Sequence, residues 1–182
     1  MACAGRSERG LSWTLRVATP ADALRLSVLA TQVWLDTYCA EGVDDSLARE
    51  VRHSCGPEAF DARLQEPLRH HLLAERDGGF VQAFVELLPD QALPLAGLEP
   101  GAEVVRLYVQ PSAQGHGLGG RLLSAAGDWA RARAQRSLWL TVWTGNARAR
   151  RFYAGQGFHD LGATHFEFEG RRYANQVLQR GL

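Results

Sequence analysis

Four glycines, Gly115, Gly117, Gly119 and Gly120, fall within six residues, between a strand-forming run and a helix-forming run. Upstream, Glu103-Val104-Val105-Arg106-Leu107-Tyr108-Val109 is rich in β-branched and aromatic residues and stops at Pro111. Downstream, Leu118, Leu122, Leu123, Ala126, Trp129 and Ala130 recur at helical spacing. A strand that turns through glycine into a helix commits the chain to a mixed α/β architecture. It also exposes several backbone N–H groups at the positive end of a helix dipole, which binds phosphate without needing a lysine. Glycine lets an anion approach that backbone closely.

The plainest alternative is a tight strand-to-helix connection with no ligand. Two phosphate-binding motifs fit poorly. Gly115-x-Gly117-x-x-Gly120 matches the dinucleotide expression, but that fold wants an acidic residue about twenty positions on, closing a second strand. Here that stretch reads Ser137-Leu138-Trp139-Leu140-Thr141, with no acid. A P-loop requires Gly-Lys-Ser/Thr, and Gly119-Gly120-Arg121 does not supply it.

A length of 182 residues favours one domain with a real core. Twenty basic and twenty acidic residues cancel, so no electrostatic argument points to nucleic acid or a membrane surface. Near-zero charge leaves monomer and homodimer both open. Cys3, Cys39 and Cys55 are odd in number and lack C-x-x-C spacing, which suggests free thiols in a reducing compartment. No run approaches the roughly 18 apolar residues of a membrane helix, and the small polar N-terminus lacks a signal-peptide core. These features lead us to expect a cytoplasmic protein with a loose tail over 1–10 and a single domain over 11–182.

Residues 12–18 alternate as a first strand. Thr19-Pro20-Ala21-Asp22 is a helix start, and the helix runs to Tyr38. Residues 41–66 read as helical but broken at Gly56-Pro57. Asp77-Gly78-Gly79 joins strands at Leu72 to Glu75 and Phe80 to Leu88. Pro89 to Gly101 reads as a loop. Then come strand 102–109, helix 116–134, strand 138–143, helix 147–155, and strands Phe158 to Phe168 and Arg172 to Leu178. The order is β-α-α-β-β-β-α-β-α-β-β, an α/β or α+β arrangement on a mixed sheet.

The span from Leu107 to Leu123 resembles the acetyl-CoA motif of the GNAT superfamily of N-acetyltransferases, Arg/Gln-x-x-Gly-x-Gly/Ala, here Gln114, Gly117 and Gly119. A second GNAT-like motif follows the strand at 138–143: Asn146-x-x-Ala149-x-x-Phe152-Tyr153-x-x-x-Gly157-Phe158. The resemblance implies the GNAT acyl-CoA N-acyltransferase fold, with acetyl-CoA as co-substrate and an amine as acceptor. It places the CoA diphosphate on the amides of Gly115, His116, Gly117, Leu118, Gly119 and Gly120, with Gln114 opening the turn and the His116 position variable. It places the pantetheine arm in a gap between two splayed strands, beside Tyr108 and Asn146. It implies that the Val109 amide polarises the thioester, and that Tyr153 is the general acid for the departing thiolate. Asparagine is also a common N-cap, and Tyr153 could equally pack beside Phe152.

Glu103 aligns with the base of the superfamily's histone-acetylating branch, and Glu86 is its rival. Val33-Trp34-Leu35-Asp36-Thr37-Tyr38 resembles a segment that borders the acceptor site in small bacterial members. Trp34 and Tyr38 share a helix face, a spacing more often found in cores, and Asp36 lies off it, suited to a cationic amine. The histidines form no metal-ligand cluster, and His70 and His71 should face opposite ways. Arg148, Arg150 and Arg151 could meet a ribose phosphate or form a solvated helix face. Cys39 and Cys55 lack a base partner, so direct attack in a ternary complex is expected over an acetyl-enzyme. A longer acyl-CoA donor and a non-catalytic CoA-binding module are the alternatives. The acceptor, a small-molecule or peptide amine, is not specified.

Overall fold

The computed structural model describes residues 12–182. The tail expected over 1–10 lies outside them. β1 (Thr14–Val17) leads into a single 3₁₀ turn at Pro20–Asp22, where the Asp22 carboxylate accepts the Thr19 N–H at 2.8 Å. α1 (Ala23–Tyr38) follows. The broken helical stretch resolves into α2 (Asp45–Cys55) and α3 (Pro57–Leu64), one helix more than the expected order counted. The Asp44 side chain caps α2 by accepting the Leu47 N–H at 2.8 Å. Pro57 lacks the donor that would have continued that helix and instead opens the next.

β2 (His70–Arg76) and β3 (Phe80–Gln91) form the expected hairpin, with Gly78 and Gly79 at φ +89° and +77°. β3 runs past Pro89, which sequence had assigned to a loop. Its pairing jumps from Leu88 to Gln91, and Asp90 takes φ +54°, so the strand tolerates the proline at a bulge. β4 (Gly101–Val109), α4 (Leu118–Arg131), β5 (Ser137–Trp143), α5 (Ala147–Gly155), β6 (His159–Phe168) and β7 (Arg171–Gly181) complete the chain. The sheet order is β1-β2-β3-β4-β5-β7-β6. β4 and β5 pair in parallel, and the other pairs are antiparallel.

Alternation along the strands divides the core between the two sheet faces. Val85 and Leu87 of β3 pack with Leu122 and Leu123 of α4 and Leu140 of β5. Phe84 points the other way, against Leu26 of α1 and Phe60 of α3. Each fully buried leucine, such as Leu122, contributes about 2 kcal/mol.

One irregularity shapes the site. Glu86 pairs with Arg106, but Leu87 pairs with Val104, leaving Val105 as an extra residue in β4. A bulge bends its strand. β4 and β5 pair only at Ala102↔Leu138 and Glu103↔Trp139. Beyond those pairs they separate and leave a gap between the C-terminal halves of two central strands.

Candidate functional site

The gap opens into a cavity of about 1160 Å³. Its walls are the ends of β4 and β5, the glycine turn, and parts of α1 and α5. Strand geometry decides what β4 offers there. The Gln110 N–H donates to Gln82 O at 2.8 Å, and the Ala83↔Val109 pair lies next along the ladder. Antiparallel pairs alternate between bonded and non-bonded. The Val109 N–H therefore turns away from β3 and into the gap. The Val109 carbonyl is taken by Gln114, whose Nε2 donates to it at 2.9 Å.

The glycines of the turn do two different jobs. Gly115 and Gly117 sit at φ +81° and +76°, where a side chain would be strained although space is open. Gly117 is the N-cap of α4, and the Arg121 N–H is the first to turn back, to Gly117 O at 3.1 Å. The amides of Leu118, Gly119 and Gly120 thus have no acceptor inside the helix. Gly119 and Gly120 instead let α5 approach. A Cβ on Gly119 would lie 3.0 Å from Phe152 Cζ, and one on Gly120 would lie 3.1 Å from Gln156 Oε1.

Asn146 caps α5, its Oδ1 accepting the Ala149 N–H at 3.0 Å, and it lines the cavity as well. Tyr153 also lines the cavity while only 9% exposed, its ring edge-on to Phe152 and Phe158 at 5.2 and 5.5 Å. Tyr153 thus packs in the core and also reaches the cavity. Burial, and then Tyr38, raise its pKa above the ordinary tyrosine value, so the hydroxyl keeps its proton.

Most expected residues converge on this one cavity. Tyr108, Val109, Gln114, Gly115, Gly117, Leu118, Gly119 and Gly120 line it from one side. Asn146 and Tyr153 line it from α5, and Asp36 and Tyr38 from α1. Four residues lie elsewhere. His116 is exposed, its ring 6.2 Å from that of Trp13. Trp34 is buried in the core between α1 and α3, and serves the site by packing on Tyr38 at 5.1 Å.

Glu86, the rival base, is fully buried off the cavity. It accepts from Arg69 and, at 2.7 Å, from Arg106, with Arg63 Nε at 4.0 Å and His71 Nε2 at 3.6 Å. Burial pushes its pKa up, but His71, Arg106 and Arg63 outweigh that and hold it well below the usual carboxylate range. A carboxylate so held is a poor proton acceptor. Glu103 is half-buried at the closed end of the gap, where β4 still pairs with β5, and the lining of β4 begins one residue later. Burial raises its pKa, with Arg69 and Arg106 opposing and Glu86 adding to the rise.

Sequence reading missed Arg106 and Trp143, which also line the cavity. The Trp143 ring meets that of Tyr38 at a tilt, 5.8 Å between centroids, and a Cβ on Gly145 would come 2.4 Å from the indole, so that glycine gives the indole its place. The visible signals were an arginine inside an apolar strand and a tryptophan two residues before a glycine.

The model of the acetyltransferase (GNAT) family matches residues 34–158. The chain belongs to the GNAT acetyltransferase family. An uncharacterized N-acetyltransferase of Mycobacterium tuberculosis is 32% identical over 166 residues, covering 88% of this chain and 98% of the relative. An uncharacterized N-acetyltransferase of Bacillus subtilis is 35% identical over 120 residues, covering 65% of this chain and 78% of the relative. Among solved structures, the PaiA N-acetyltransferase of Thermoplasma acidophilum in complex with coenzyme A superposes with a TM-score of 0.73 at 20% identity. That match covers 94% of this chain and all of the other. YncA of Salmonella typhimurium with acetyl-CoA gives 0.66 at 23% identity over 94% of both chains. At such identities these two matches establish the shared GNAT fold. Among the described residues, no helix is long and apolar enough to cross a membrane.

Proposed function

We propose that this GNAT acyltransferase moves an acetyl group from acetyl-CoA to a primary amine by direct attack in a ternary complex. The amides of the glycine turn would hold the CoA diphosphate, and the pantetheine arm would lie in the β4–β5 gap beside Asn146. The orientation of the Val109 N–H carries the reading. It is a fixed donor aimed into the gap, where negative charge develops on the thioester oxygen.

The amine nitrogen forms the new C–N bond as the carbonyl π electrons move to oxygen. Collapse of that oxyanion expels sulfur from carbon. One proton must leave nitrogen and one must reach sulfur. The Tyr153 hydroxyl does both: it gives its proton to sulfur and takes one from nitrogen, ending unchanged. The products are an amide and the CoA thiol. A relay suits a tyrosine whose raised pKa makes free tyrosinate costly. Neither Glu86 nor Glu103 contacts the amine in this scheme, and Asp36 draws a cationic acceptor toward the cavity, where the acceptor gives one proton to solvent and then attacks as the free amine. Free Cys39 and Cys55 fit a reducing, cytoplasmic setting.

The test is thiol release from acetyl-CoA with pooled amines, comparing wild type with Tyr153→Phe. We expect turnover to fall by about 10² with acetyl-CoA affinity unchanged. Equal rates would remove Tyr153 from the mechanism. Gly117→Asp should abolish acetyl-CoA binding in calorimetry, and retained affinity would move the cofactor site elsewhere.

A further inference from the structure

The acceptor end of the cavity has a composition that amine acetylation alone does not require. Arg106 and Asp36 both line it. Arg106 stands on β4, mostly buried, with its side chain 17% exposed. Its Nη1 donates to Glu86 at 2.7 Å. Its Nε and Nη2 have no acceptor among the described residues, and neither is a buried unpartnered atom, so solvent reaches that edge. The same guanidinium edge, Nε with Nη2, grips a carboxylate elsewhere in this chain: Arg49 donates to the two oxygens of Glu169 at 2.8 and 2.9 Å. Glu86 fixes Arg106 from behind and is itself fixed by Arg69. A guanidinium held on one side and open on the other is prepared for a planar anion.

We propose that the amine acetylated here also carries a carboxylate, which the Nε–Nη2 edge of Arg106 holds while Asp36 faces the amino end. The proposal rests on the acetyl-transfer reading and names its substrate class. A wall with one fixed cation and one exposed anion complements a substrate bearing both charges. Arg148, a third charge on the lining, stands on α5 beside Asn146, on the side given to CoA. Tyr38 and Trp143, their rings in tilted contact on the lining, offer apolar surface for the rest of the molecule.

The experiment pairs each common L-amino acid with its own carboxamide, as acceptors in thiol release and, after N-acetylation, as ligands of the CoA-loaded protein in calorimetry. Acids should exceed amides by roughly tenfold or more in kcat/KM, corrected to free amine, and the N-acetyl acids should bind more tightly than their amides. Arg106→Gln should erase both preferences while acetyl-CoA affinity stays within about twofold, which shows that the fold survives. Arg106→Lys keeps the charge without the fork and should retain only part of each preference. Amides that match acids in turnover or binding overturn the proposal and leave acetyl transfer standing. So does an acid preference that survives Arg106→Gln. Arg106-dependent binding of N-acetyl acids, with no turnover of any amine, sinks the transfer reading and keeps the carboxylate site.

Discussion

Gln114 donates from Nε2 to the carbonyl oxygen of Val109 at 2.9 Å, tying the start of the glycine turn to the last residue of β4. The bond joins the region that would hold the diphosphate to the amide that would polarise the thioester. Gln114→Ala removes it without touching the core. We expect acetyl-CoA to bind roughly tenfold more weakly and kcat to fall as well, because the Val109 peptide loses its tether. Calorimetry and steady-state rates would separate the two losses. A change confined to binding would mean that Val109 needs no tether.

The glycines should divide by mechanism. Gly117 is at φ +76° with open space around it, so Gly117→Ala meets backbone strain alone, costing about 1 kcal/mol. Gly119 is different, because an added Cβ meets Phe152 at 3.0 Å. Gly119→Val must push α4 from α5, and should cost about 3 kcal/mol and displace Tyr153 as well. Urea unfolding of the two variants tests the ordering. Equal losses would mean that the turn, not helix packing, sets both.

These glycines also show how far the sequence could be read. The turn and both flanking elements were legible because their causes are local: glycine at positive φ, helical spacing after it, β-branched residues before it. The two jobs of the glycines were not legible, since Phe152 comes from α5 and Gln156 from its C-terminal cap, across the fold. Glu86 and Arg106 lie twenty residues apart and meet only through the β3–β4 register, which a bulge at Val105 shifts. Period-two counting passes over such a shift. Trp34, by contrast, sits in the core that its four-residue spacing from Tyr38 favours.

His70 gives the fold a pH dependence. Its ring stacks on Trp129 at 5.1 Å. Burial, then Arg133 and His71, lower its pKa from 6.5 to about 4. The unfolded chain takes up a proton below about pH 6.5, while the folded protein resists until about pH 4. This contribution is complete above the higher value and is lost as pH falls through the window, on the order of 2 kcal/mol. His70→Phe keeps a stacked ring without the proton. Its stability should fall less than wild type's between pH 7 and pH 5, measured by chemical denaturation at a series of fixed pH values. Parallel curves would assign the slope to another group.

Glu86 should be the most costly single polar change in the acceptor half. It is fully buried and is the shared acceptor of Arg69 and Arg106, with Arg63 and His71 close by. Glu86→Gln keeps the shape and one acceptor oxygen but takes the counter-charge from Arg106 and Arg63, while Arg69 keeps Glu66. A cost of about 3 kcal/mol in urea unfolding at neutral pH is expected, most of it from stranding buried cations. The folded pKa of Glu86 is depressed, so its contribution is present above the usual carboxylate value and is lost as pH falls below it. The variant should therefore show a shallower acid-side slope than wild type. Arg106, no longer anchored, should also hold an acceptor carboxylate more loosely. KM for that acceptor would then rise while KM for acetyl-CoA stays put, a split that general loss of stability would not produce.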